Sequence, residues 1–274
     1  MDLNDTTWPQ QLPPPPPPPP LPAPNKSGEN PVFNLPDVLL IALVAISCLL
    51  FVCPLIGTLV FVAVHGFQSF DVKQMAQNAL VIVPMQIAAY ILTVGFMVLL
   101  IWRKYRTGFL TAVRWKLPRR KLAWGAIGGG VALGLTSQVL SGLLERWIPK
   151  SLPIEQYFNT PASAYMLAGF GILVAPLVEE LFFRGLLYPA LARPIGIFPA
   201  AGLTAISFAA IHAPQLGNSW APLVVLLTIS SVLTAARVVT KSVAFCVLIH
   251  VAYNFTLFAG LFIVTQGFRH MERG

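Results

Sequence analysis

Glu179, Glu180 and Arg184 fall within six positions of one another inside the otherwise apolar run 163–192. If that run crosses a bilayer, each such charge costs about 2.5–3.5 kcal/mol on insertion scales, so something must compensate for them. Part of the compensation is local. Glu180 and Arg184 are four apart and share a helix face, with the acid on the favoured N-terminal side. Glu179 is turned by about 100° from Glu180, which leaves its carboxylate for a different task. Pro176, one turn earlier, must kink or open the helix. Two further apolar runs carry one histidine each. Phe208 and His212 are four apart on one, and His250 and Asn254 are four apart on another, so each pair projects the same way. A carboxylate can take a proton from water, an imidazole can accept or donate one near neutral pH, and an amide N–H can hold a developing oxyanion. Without an evident Ser or Cys nucleophile, this inventory favours an activated water over a covalent intermediate.

These groups need rigid elements in a low-dielectric setting, and the composition supplies both. Of 274 residues, 56% are hydrophobic and only 10% charged, with mean hydropathy +0.72; ordinary soluble domains are about 25% charged. A soluble globular enzyme, a disordered main body and a disulfide scaffold are thereby excluded. Cys48, Cys53 and Cys246 all lie in apolar runs, where a thiol behaves as a small hydrophobe. The expected fold is an all-α polytopic transmembrane bundle of about seven spans: 38–64, 78–102, 123–144, 163–192, 197–213, 220–237 and 242–265. Of these, 197–213 is short for the roughly 20 residues a span needs, and 220–237 is marginal. No internal repeat is evident, which weakens an inverted-repeat transporter reading.

Three regions follow: a Pro-rich tail (1–36), two N-terminal spans with a basic loop (37–120), and a helical core (121–268). The tail holds thirteen of the 25 prolines, including the unbroken run Pro13 to Pro20. That run should form a stiff polyproline II spacer in a disordered tail, with any docking partner unspecified. Residues 103–121 hold Arg103, Lys104, Arg106, Arg114, Lys116, Arg119, Arg120 and Lys121 and no acid. Such a loop belongs in the cytoplasm, where it can meet anionic lipid headgroups. The net charge of +8 is therefore read as topology, not as nucleic-acid binding. A bacterial inner (plasma) membrane is the expected home.

With Glu179-Glu180-x-x-x-Arg184, Phe208-x-x-x-His212 and His250-x-x-x-Asn254 in this order on successive spans, the sequence resembles the CAAX-protease and bacteriocin-processing (abortive-infection) intramembrane proteases. That family is similar to the type II CAAX prenyl endopeptidase. The resemblance covers roughly residues 120–265. It implies that Glu179 activates water with help from His212, and that His250 and Asn254 hold the oxyanion. It also implies that Glu180 and Arg184 support the site and that Phe208 packs beside it. The implied substrate is a membrane-anchored or prenylated protein or peptide. Zinc stays open: Glu179, His212 and His250 have suitable donor types, but His-Glu-x-x-His is absent, and Asn254 suits an oxyanion better than a metal. A non-catalytic immunity or scaffold protein and a proton-coupled transporter are the alternatives, since Glu and His also build proton relays.

Overall fold

Inside a bilayer the backbone finds no water to bond, so a chain of this composition must satisfy its N–H and C=O groups within helices. The computed structural model describes residues 33–66, 71 and 75–270. The polyproline run and the rest of the tail up to residue 32 lie outside the described residues. Among the described residues, six helices are long and apolar enough to cross a membrane. They are α1 (Leu35–Ala63), α2 (Ala79–Tyr105), α3 (Arg120–Leu143), α4 (Pro161–Ile195), α6 (Trp220–Thr240) and α7 (Val243–Val264). Between α4 and α6 lies a shorter apolar helix, α5 (Ile197–Ile211). The run expected as a short fifth span is this helix, whose 15 residues reach only about 22 Å, less than the hydrocarbon thickness.

Local chemistry sets the helix starts. Asn34 and Asp37 form a reciprocal capping box at α1: the Asp37 N–H donates to Asn34 Oδ1 at 3.1 Å, and the Asn34 N–H donates to Asp37 Oδ2 at 3.3 Å. Thr160 caps α4 and Ser242 caps α7 through their hydroxyl oxygens. Pro161 occupies the first position of α4, where a missing N–H costs nothing.

In lipid, association relies on close packing rather than on apolar burial from water. The α3–α7 seam illustrates this. A Cβ added at Gly130 would collide with the Ile249 carbonyl and with Ala252. One added at Gly134 would meet the Thr256 side chain at 2.8 Å. The two glycines, four apart, thus let the backbone of α7 lie directly on α3 and fix the helix that carries His250 and Asn254. Two apolar clusters flank α4. One joins Val38, Ile41, Met97 and Ile101 to Leu181 and Leu186; the other gathers Val225, Ile229 and Leu233 of α6 with Ile249 and Tyr253 of α7.

Candidate active site

Two stretches of α4 depart from α-helical geometry: Phe170–Val174 and Leu181–Leu187 are π-helical. Each ends against a proline, and each leaves a carbonyl to be answered from another helix. In the first, the Ala175 N–H reaches back five residues to the Phe170 carbonyl. The next carbonyl, that of Gly171, would take the N–H of residue 176, but Pro176 has none. Asn254 of α7 supplies it, donating Nδ2 to the Gly171 carbonyl at 2.6 Å. In the second, the Tyr188 N–H reaches back to Phe183. The Arg184 carbonyl would then take its hydrogen from residue 189, which is Pro189. Arg237 of α6 donates Nε to it at 3.0 Å. The opening expected at Pro176 is therefore real, and it recurs at Pro189.

Between these two turns stand the charges. Glu180 and Arg184 are both fully buried, and Arg184 Nη1 donates to Glu180 Oε1 at 2.8 Å. The other guanidinium hydrogens go to α6: Nη2 to the Ser230 carbonyl at 2.9 Å and its hydroxyl at 2.7 Å, and Nε to Thr234 Oγ1 at 3.3 Å. The same Glu180 oxygen lies 2.9 Å from His250 Nδ1. Because a carboxylate only accepts, Nδ1 carries the hydrogen there, and the ring is turned so that Nε2 looks toward Glu179. Glu180 Oε2 is buried without a hydrogen-bond partner among the described residues.

Glu179 sits between two imidazoles. His212 Nε2 is 3.9 Å from its Oε1, and His250 Nε2 is 3.9 Å from its Oε2. These separations are too long for direct hydrogen bonds and suit a bridging water. His212 is oriented by its own helix: Nδ1 is 2.8 Å from the Phe208 carbonyl. That carbonyl accepts, so Nδ1 carries the hydrogen and, in the neutral ring, Nε2 presents its lone pair toward Glu179. Glu179 keeps 14% side-chain exposure and His212 19%, against 0% for Glu180. One carboxylate is sealed and structural, the other reachable.

Phe208 forms the floor. Its ring lies 4.8 Å from the Arg184 guanidinium carbon, 4.8 Å from the His212 ring, 5.9 Å from the His250 ring and 5.1 Å from the Phe183 ring. Glu179, Glu180, Arg184, Phe208, His212 and His250 thus converge. Asn254 is on the same helix one turn beyond His250, and its recorded hydrogen bond goes to Gly171 rather than into the carboxylate–imidazole cluster.

The sequence reading left α6 without a role, yet Ser230, Thr234 and Arg237 of that helix hold Arg184. Their signal was present: spacings of four and three place all three on one face, and an arginine closes an apolar run. Tyr90 of α2 was also missed. It stacks on Phe170 with ring centroids 5.8 Å apart and lies within electrostatic reach of Glu179. No periodicity marks it. Among the described residues there is no group of three or more His, Cys, Asp or Glu arranged to hold a metal ion.

Long apolar helices enclosing paired carboxylates and imidazoles define an integral, multi-pass membrane protein. Residues 161–256 match the family model described as "Type II CAAX prenyl endopeptidase Rce1-like", a membrane endopeptidase family consistent with the CAAX-protease and bacteriocin-processing resemblance. The matched segment runs from the start of α4 to just beyond Asn254 and so contains every residue of the three motifs. No curated protein and no solved structure matches the chain.

Proposed function

We propose that this protein is an intramembrane endopeptidase that hydrolyses a peptide bond in a membrane-anchored or prenylated substrate. The observation that carries the reading is the placement of Glu179 between two imidazole Nε2 atoms, each 3.9 Å away. A water bridging Glu179 and His212 finds two acceptors and is polarised by both. Its oxygen attacks the scissile carbonyl carbon while its proton passes to Glu179. The carbonyl π electrons move onto oxygen, forming the tetrahedral oxyanion. The second Nδ2 hydrogen of Asn254, and His250 when doubly protonated, stabilise that charge. Collapse of the intermediate breaks the C–N bond, and the proton held on Glu179 goes to the leaving amine. Glu180, fixed by Arg184, sets the His250 ring. The basic loop 103–121 faces the cytoplasm by the positive-inside rule, in keeping with a bacterial plasma membrane.

The test is cleavage of membrane-anchored peptides, with and without a prenylated C-terminal cysteine, by purified protein in proteoliposomes. Glu179→Gln and His212→Ala should each lower turnover by about 10²–10⁴-fold. Equal cleavage by wild type and Glu179→Gln would defeat the assignment. Glu179-dependent proton uptake without cleavage would move it to transport.

A further inference from the structure

The three connections α2–α3, α4–α5 and α6–α7 lie at one end of the bundle. The first and the third are tied together there: the Val243 N–H donates to the Arg114 carbonyl at 3.2 Å, and Ser242 Oγ donates to the Lys116 carbonyl at 2.5 Å. The fold thereby adds Arg193 and Lys241 to the eight basic residues of 103–121. Among the described residues the acid that faces this end, Asp37, is 4% exposed and already engaged by Lys104 and by the Tyr105 hydroxyl. The opposite end is balanced among its described residues: Asp71, Glu145 and Glu155 stand against Arg146, Lys150 and Arg269.

Backbone geometry supplies a second, independent observation. Among the described residues, six non-glycine residues have positive φ. The three at the basic end are Arg106, Arg114 and Lys241, with φ of 53°, 56° and 53°. The three at the other end are Asn218, Gln266 and Phe268. Left-handed positions closing a helix usually hold glycine, which has no Cβ to strain. At the basic end, cations occupy all three despite that strain. Between the cations stand exposed apolar side chains, Trp102, Leu110, Leu117, Leu122 and Trp124, the mixture that settles at the headgroup level of a bilayer.

We infer that this end is a docking surface for anionic phospholipid headgroups, with Arg106, Arg114 and Lys241 as fixed cationic points beside the other lysines and arginines of residues 103–121. The alternation of cations with exposed tryptophan and leucine at the rim of the spanning helices favours a lipid surface over an acidic polypeptide. The inference stands independently of the peptidase reading.

Native mass spectrometry of the full chain, delipidated and offered equal phosphatidylglycerol and phosphatidylcholine, tests it. Wild type should retain phosphatidylglycerol preferentially, and the preference should fall as ionic strength rises. Arg106→Gly, Arg114→Gly and Lys241→Gly remove charge while easing the backbone, so each variant should fold in neutral detergent. Each should weaken phosphatidylglycerol binding by about five-fold, and the triple variant by about a hundred-fold. Arg146→Gly and Arg269→Gly at the opposite end should leave the preference unchanged. Equal retention of the two lipids by wild type, an undiminished preference in the triple variant, or binding of polyglutamate in place of lipid would each overturn the inference.

Discussion

Helices α1 and α4 share a backbone device and use it differently. Each is a long apolar helix in which a π-helical turn runs into a proline. In α1 the turn is Cys48–Val52, the Cys53 N–H reaches back to Cys48, and Pro54 leaves the Leu49 carbonyl without its helical donor. Among the described residues no side chain donates to that carbonyl, and Leu49 is exposed on the bundle surface. In α4 the same arrangement occurs twice, and each time a side chain from a neighbouring helix answers: Asn254 at Gly171 and Arg237 at Arg184. A widened turn is a local event that sequence can produce anywhere. It becomes part of a site only when tertiary packing brings a donor to the carbonyl it releases. In α4 those donors bracket Glu179 and Glu180, so the irregular turns fix the direction in which the carboxylates point.

The comparison can be broken most severely at Arg184. Arg184→Leu leaves Glu180 buried with no cation and should destabilise the protein by about 3–5 kcal/mol, read as loss of folded protein on thermal unfolding in detergent. Next comes the Arg237 donor. Arg237→Leu orphans the Arg184 carbonyl and should cost about 1–3 kcal/mol. Pro189→Ala restores a backbone N–H nearby, so the double variant should recover part of that loss. A strictly additive double-mutant cycle would show that Arg237 does not act through this carbonyl.

Asn254 tests the first turn in the same manner. Asn254→Leu should cost about 1–2 kcal/mol and raise hydrogen exchange of the amides around residues 171–176. Pro176→Ala in that background should restore protection but, if the proposed oxyanion role holds, not turnover. The smallest effect is expected in α1. Pro54→Ala should change stability by less than about 0.5 kcal/mol, because no partner helix depends on the Leu49 carbonyl. A large change there would erase the distinction between the two helices.

The legible part of the site was its charge pattern. Glu180 and Arg184 pair as their four-residue spacing requires, and Glu179 stands apart from them as its rotation requires. His212 lies beside Phe208 because those two also share a face. Hidden from the sequence was the second use of Glu180, which holds His250 from 70 positions away. The engagement of Asn254 with Gly171 was equally hidden, because it depends on a carbonyl that only a π register and a following proline together release. The role of α6 went unread for a related reason: Ser230 and Thr234 look like ordinary hydroxyls in an apolar run until a guanidinium is placed against them.

Composition and apolar run length determined that this chain builds a helical membrane bundle, since backbone in lipid has almost no other stable form. Short-range spacing determined which polar groups share a helix face. The convergence of α4, α5, α6 and α7 on one polar cluster was decided by tertiary structure, and so was the gathering of scattered cations at one end. Both depend on interhelical packing, such as that of Gly130 and Gly134 against α7, and no one-dimensional periodicity encodes which helix will lie against which.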